Sequence, residues 1–279
     1  MNAMPDLNGR VAVITGGASG IGKGIARQMI AEGAKVVIAD IERGALETTA
    51  EEIGAVGIVA DVSDLASVEA LAAQVVERFG TVDIICNNAG VAPKVKIADA
   101  TMDDWRWVID VNLWGVIHGV KTFLPILRAN PNGGYVVNTA SSGGFVTGPM
   151  IGPYSVTKSG VVALSEALAG ELQLEGARIG VTIFCPGTIR TNLHTSSRNR
   201  PGHLADAAAI DIDMMNNKAL IGDQRWLKAD DMGAIVTDAM RRGALYVTTH
   251  AEIADYVEMR MSAVAEAFRY PIPEAALFE

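Results

Sequence analysis

The stretch Val11-Ala12-Val13-Ile14-Thr15-Gly16-Gly17-Ala18-Ser19-Gly20-Ile21-Gly22 opens with a continuous apolar run and breaks abruptly into glycine. Beyond it, Ile25, Met29 and Ile30 recur at helical spacing between Lys23 and Glu32. The pattern predicts strand, glycine loop, helix. Gly16, Gly20 and Gly22 permit dihedrals and close approaches that a side chain forbids, so the helix can offer unpaired N–H groups to a pyrophosphate. Their spacing is Gly-x-x-x-Gly-x-Gly, not the general Gly-x-Gly-x-x-Gly fingerprint, and a simple tight turn is the competing reading.

A second apolar run, Val36-Val37-Ile38-Ala39, ends in Asp40, eighteen residues past Gly22. A dinucleotide-binding unit places there the acid that accepts from a ribose 2′-hydroxyl. The same carboxylate repels a 2′-phosphate, and neither Ser19 nor Ile41 is a compensating cation, although Arg43 is close in sequence. The expected cofactor is therefore NAD; a helix cap is the other role open to Asp40.

The alternation continues with a strand over 57–60 ending at Asp61-Val62, a helix over 65–79, and a strand over 83–86 ending at Asn87-Asn88-Ala89-Gly90. Continuous apolar strands of this kind belong to parallel sheets buried on both faces. Thr101-x-x-Asp104 reads as a capping box opening one long helix through Trp105, Trp107, Ile109 and Leu113. Asn112, a poor helix-interior residue, lies in its middle, either facing solvent or buried at a bent turn that satisfies its amide with water. A fifth strand over 135–139 delivers Ser141, a helix runs from Tyr154 toward Glu175, and a sixth strand over 179–185 ends at Pro186-Gly187-Thr188. Ligands of such sheets bind beyond the carboxyl ends of the strands, where the residues not on helices all fall. The expected fold is α/β: one domain over 1–279, a doubly wound parallel sheet of about seven strands with helices on both faces.

Tyr154 and Lys158 stand four apart on one helix face if Pro153 marks a helix start. An unperturbed phenol, with a pKa of about 10, is too weakly acidic to be a base near neutrality, and a fixed ammonium beside it favours the phenolate. Ser141, thirteen residues earlier, can hydrogen-bond the same substrate oxygen. Alone, a Tyr-x-x-x-Lys pair is more often a solvated helix face.

Of the 279 residues, 49% are hydrophobic and 20% charged, an ordinary globular composition. The net charge of −9, without a cluster of Lys and Arg, disfavours nucleic acid and anionic membrane and points to a small-molecule partner. Cys86 and Cys185 each end an apolar run and read as buried strand thiols. No segment has the composition of a signal peptide or the ~18 apolar residues of a membrane span, so a soluble cytoplasmic protein is expected. His118, His194, His203 and His250 lack ligand spacing, and no metal is assigned.

Taken together, these motifs resemble the short-chain dehydrogenase/reductase family from residue 7 to about 191. Thr15 to Gly22 is similar to its glycine motif, Asp61-Val62 to its adenine-side pair, and Asn87 to Gly90 to its Asn-Asn-Ala-Gly segment. Asn112, Ser141, Tyr154 and Lys158 resemble its catalytic tetrad, and Pro186-Gly187-Thr188-Ile189 its nicotinamide-side loop. The resemblance implies a Rossmann-type fold with Tyr154 as acid/base and Lys158 lowering its pKa while bonding the nicotinamide ribose. Ser141 would hold the reacting oxygen, and Asn112 a water that relays the proton. It also implies pyrophosphate contacts from Ser19 and Ile21, adenosine-ribose contact from Asp40 and adenine contacts from Asp61 and Val62. Asn88 would meet the adjoining backbone position, and Ile189 and Thr191 the nicotinamide end.

The likeness weakens beyond this point. Leu245 to Thr249 leads into a helical pattern over 253–270 and then Pro271-Ile272-Pro273, where many members end in a strand and a Val-Asp-Gly-Gly-like tail. A homodimer is thus as compatible as a homotetramer. Residues 192–228 are too long for an ordinary connection and are expected to cover the substrate or to pack as helix on the domain. They carry His194, His203, Ile210, Met214, Met215, Leu220, Ile221, Trp226 and Leu227. With Phe145, Met150 and Ile151 near Ser141, they suggest a sizeable hydrophobic secondary alcohol or ketone, aromatic ones included. The alternative class is a non-catalytic module that senses nicotinamide cofactor or dimerises, which has no need of Ser141, Tyr154 and Lys158 together.

Overall fold

In the computed structural model, which describes residues 2–213 and 225–270, β1 (Val11–Thr15) is buried throughout and pairs on both sides, with Val13 opposite Val37 and Ile85. Its neighbours are β2 (Lys35–Asp40), which continues to β3 (Val56–Val59), and β4 (Ile84–Asn87). Beyond β4 lie β5 (Gly134–Thr139), β6 (Ile179–Cys185) and, at the edge, β9 (Tyr246–Thr248), so the parallel order is β3-β2-β1-β4-β5-β6-β9. The chain runs outward from β1 to β3 and then crosses back to β4, which makes the carboxyl ends of β1 and β4 the switch point where such sheets take ligands. Two short strands, β7 (Ile189–Arg190) and β8 (Leu227–Lys228), pair separately above it.

Burial on both faces explains the unbroken apolar strands. Val13, Val37, Val136 and Val181 pack with α3 (Leu65–Phe79), α5 (Gly115–Ala129) and α6 (Gly152–Leu174). Ile14, Ile38, Val137 and Phe184 turn to the other face, against α1 (Gly20–Ala31) and α7 (Met232–Arg242). Each such side chain contributes roughly 1.5–3 kcal/mol relative to exposure. The two thiols are buried in β4 and β6 as expected. Among the described residues no helix is long and apolar enough to cross a membrane.

Element ends follow the local chemistry. Asp64 caps α3 by accepting from the Ala66 N–H, and Gly80, at φ 80°, ends it. Thr101 and Asp104 form the expected capping box of α4 (Met102–Ile109). The long helix expected there runs on without a break through α5 (Gly115–Ala129), but Asp110–Trp114 in its middle is wound as a π turn. The reason is Asn112, fully buried at that turn: its Oδ1 accepts from the Val91 N–H at 2.8 Å and its Nδ2 donates to the Val91 carbonyl at 2.8 Å. Widening one turn lets the amide reach a loop from another part of the sheet. The helix α2 (Arg43–Ile53) and the C-terminal α8 (Ala254–Phe268) complete the described elements, and α8 buries none of its residues. Met214, Met215, Leu220, Ile221 and Pro271-Ile272-Pro273 lie outside the described residues.

Candidate active site

At the switch point, Gly16 and Gly20 adopt positive φ of 64° and 54°. A Cβ on Gly16 would lie 2.8 Å from the Ala89 backbone, so the loop closes against the end of β4 only because that position is glycine. Gly16, Ser19, Gly20 and Ile21 line the cleft. Gly22 does not: a Cβ there would stand 2.2 Å from the Gly16 carbonyl oxygen, so Gly22 shapes the loop from behind. Ser19 precedes α1 without spending its hydroxyl on a capping bond. A cradle with no Cβ at its tightest points, a free hydroxyl and a helix N-terminus fit a pyrophosphate.

Asn88 braces this cradle. Its Nδ2 donates to the Thr15 carbonyl at 3.0 Å, while the Thr15 hydroxyl oxygen accepts the N–H groups of Asn88 and Ala89 at 2.9 and 3.1 Å.

At the end of β2, the Asp40 carboxylate accepts from the Ala18 and Glu42 N–H groups, each at 3.1 Å. Burial nevertheless raises its pKa above the ordinary value. Arg43 turns away to Glu47 at 3.7 Å, and the arginine that does line the cleft, Arg198, pairs with Glu42 at 2.5 Å. Asp61 accepts from the backbone and hydroxyl of Ser63 at 2.9 and 2.6 Å. Val62 presses on Gly115, where a Cβ would come within 2.8 Å of it. Asp40, Asp61 and Val62 thus share one wall of the cleft.

Deeper in, Lys158 is 3% exposed and donates to the Thr139 carbonyl at 2.8 Å, its ammonium 5.7 Å from the centre of the Tyr154 ring. Burial brings the pKa of Lys158 down to about 8. Burial likewise pushes the Tyr154 phenol up, opposed by a hydrogen bond with Ser141. The Gly143 N–H donates to Ser141 Oγ at 3.0 Å, which fixes that hydroxyl on the short turn after β5. Asn112 stands beside this group rather than on the cleft wall: a Cβ on Gly90 would lie 3.2 Å from Asn112 Oδ1 and 3.7 Å from Lys158 Nζ.

Pro186, Gly187, Ile189 and Thr191 form the wall after β6. A residue that sequence reasoning passed over holds this loop. The Gly187 N–H donates to the Thr249 hydroxyl at 3.0 Å, Thr249 donates to His250 Nδ1 at 2.7 Å, and His250 Nε2 donates to the Arg225 carbonyl at 2.9 Å. The buried His250 ring is thus held at both of its nitrogens. A Cβ on Gly187 would fall 2.5 Å from its ring. The sequence signal is the polar run Thr248-Thr249-His250, which begins on the last residue of β9.

The second residue missed is Lys94, in the loop after β4, whose ammonium lies 5.9 Å from the centre of the same Tyr154 ring. Beside it, the described part of 192–228 is pinned at several points. Ser196 Oγ accepts from the Ala92 N–H at 3.1 Å, Arg200 pairs with buried Asp104 at 2.5 Å, and Ile210 bridges Lys94. Leu193, Trp226, Val146 and Ile151 give the adjoining cavity its apolar walls, whereas Phe145 packs against the core and the Tyr246 ring.

A parallel sheet with a glycine cradle at its switch point and a Tyr-Lys pair beside it defines a Rossmann-type oxidoreductase. The chain belongs to the short-chain dehydrogenase/reductase family: the short chain dehydrogenase profile matches residues 10–202. It is 33% identical over 270 residues to a C alpha-dehydrogenase of a Sphingobium species, covering 95% of this chain and 88% of that one. It is 30% identical over 274 residues to a CLA biosynthesis dehydrogenase/reductase of Lactiplantibacillus plantarum, covering 94% and 95%. Its structure superposes with a TM-score of 0.88 on a short chain dehydrogenase/reductase from Burkholderia phymatum in complex with NAD, at 34% identity over 98% of this chain and 100% of that one.

Proposed function

We propose that the protein is an NAD-dependent dehydrogenase that interconverts a hydrophobic secondary alcohol, aryl alcohols included, and its ketone. The observation that carries this reading is the convergence of Tyr154, Lys158 and Ser141 at one end of the cleft whose other end is the glycine cradle. NAD held along that cleft supplies the hydride acceptor. In alcohol oxidation Tyr154 takes the hydroxyl proton, Ser141 orients the oxygen, and Lys158 favours the phenolate while bonding the nicotinamide ribose. Asn112 steadies the neighbouring turn and a relay water. Gly16, Ser19, Gly20 and Ile21 bind the pyrophosphate, Asp40 the adenosine ribose, Asp61, Val62 and Asn88 the adenosine side, and Pro186, Gly187, Ile189 and Thr191 the nicotinamide side. The apolar walls from Ile151, Leu193 and Trp226 support a hydrophobic substrate body, and residues 192–228 serve as its cover.

The exposed apolar residues of α8, among them Tyr256, Met259 and Phe268, favour assembly as a homodimer or homotetramer. We place the protein in the cytoplasm. Incubation with NAD and a panel of aryl secondary alcohols should produce reduced cofactor. Binding of NAD with no turnover across alcohols and ketones would point instead to a sensing module.

Cofactor choice would follow from the charges at the ribose end, where Arg198 pairs with Glu42 and the Asp40 carboxylate would meet the 2′ position. NAD should exceed NADP by at least about tenfold in kcat/KM, roughly 1.4 kcal/mol of differential transition-state binding. Asp40→Ala should shrink the ratio chiefly by weakening NAD, and Ile41→Arg should shrink it further by giving the phosphate a bidentate partner. Equal use of both cofactors by the wild-type enzyme would remove Asp40 from this role.

A further inference from the structure

Lys94 is set by its backbone. Its N–H donates to the Ile210 carbonyl at 2.8 Å, its carbonyl accepts from the Ile210 N–H at 3.0 Å, and the next residue, Val95, donates to the Met150 carbonyl at 2.9 Å. A loop held from two sides fixes the point from which the side chain starts. The half-buried ammonium lines the cavity that contains Tyr154, Ser141 and Ile151. Two lysines therefore flank the Tyr154 ring, at 5.7 and 5.9 Å, but they differ in what satisfies them. Lys158 donates to the Thr139 carbonyl. The Lys94 ammonium has no ion pair or hydrogen bond among the described residues, and burial lowers its pKa.

A cation taken partly out of water without a partner is costly, and a cavity wall is where a ligand can supply the partner. We propose that Lys94 recognises an anionic group of the substrate: the preferred substrate is a hydrophobic alcohol or ketone that carries a carboxylate, which pairs with Lys94 while Ser141 and Tyr154 hold the reacting oxygen. The inference rests on the dehydrogenase reading of the same site and narrows its substrate class. A carboxylate matches one ammonium in charge, and a charge-assisted N–H···O bond would fix the end of the molecule that faces Tyr154. Glu252 and Asp255 line the cavity without forming an ion pair to Lys94, so an anion is repelled there and the orientation is not symmetric. The apolar body of the substrate then lies along Ile151 and Trp226.

The test has a binding arm and a turnover arm. Dissociation constants of benzoate and benzamide are measured by calorimetry on NAD-saturated wild-type, Lys94→Gln and Lys94→Arg enzymes. In parallel, kcat/KM is measured with NADH as hydride donor for the reduction of 4-oxo-4-phenylbutanoate and of its methyl ester. Wild type should favour the acid over the neutral compound by about tenfold or more in both arms, the scale of a hydrogen bond to a charged group. Lys94→Gln should abolish the preference and Lys94→Arg should retain part of it. Equal treatment of acid and neutral compound by wild type, or a preference that survives Lys94→Gln, overturns the proposal. Turnover of the ester without any acid preference would do so while leaving the dehydrogenase reading intact. Lys94-dependent benzoate binding with no turnover of either ketone would support the anion site and overturn the dehydrogenase reading.

Discussion

Tyr154→Phe is expected to lower kcat for alcohol oxidation by about 10²–10⁴-fold while leaving NAD affinity nearly unchanged, that being the range supplied by a positioned general acid or base. The substitution keeps the ring near the two ammonium groups and removes only the hydroxyl with its exchangeable proton. The burial that raises the phenol's pKa makes an adjacent cation necessary, since desolvation opposes the phenolate and a nearby positive charge favours it. Retention of more than about a tenth of kcat would take Tyr154 out of the acid/base role. A loss confined to KM would assign it to substrate binding alone.

Lys158→Met should differ in kind, damaging both rate and cofactor affinity, because one ammonium serves the phenol and the nicotinamide ribose. We expect kcat/KM to fall by about 10²-fold or more, with NAD binding weakened by about tenfold, the scale of a lost hydrogen bond from a charged donor. The sign of the pH dependence provides a further check. Burial brings the Lys158 pKa to about 8, so the charged form is present below that pH and lost above it. Wild-type NAD affinity should therefore decline as pH rises through about 8, and the methionine variant should lack that decline. Unchanged NAD affinity in the variant would remove the ribose contact.

The parts of this molecule legible in its sequence are those whose cause is local or periodic. Val11 to Thr15 and Ile179 to Cys185 read as strands because both faces are buried, which leaves no polar alternation to confuse the period. Tyr154 and Lys158 were legible as a pair because α6 starts at Gly152-Pro153 and four residues return to the same face. What the sequence hid has its cause elsewhere in space. The π turn at Asn112 exists to reach Val91 and Thr157, neither of them near it in sequence. His250 acquires its place from Thr249, Gly187 and Arg225, and Lys94 from Ile210 and Met150. The anchors of the segment after Thr191, Arg198 to Glu42 and Arg200 to Asp104, join charges 156 and 96 residues apart, and an isolated arginine in a polar stretch carries no mark of its partner.

The central claim is that a hydride passes from a carbinol carbon to NAD beside Tyr154. Its most direct test is to incubate the enzyme with NAD and 1-phenylethanol deuterated at the carbinol carbon, together with an aryl hydroxy acid labelled in the same way, and to read the reduced cofactor by mass spectrometry. The expected result is deuterium in the reduced nicotinamide ring from at least one of the two alcohols, formed at a rate that Tyr154→Phe lowers by about 10²-fold or more. Bound NAD that acquires no deuterium from either alcohol, or label transfer that Tyr154→Phe leaves undiminished, would contradict it.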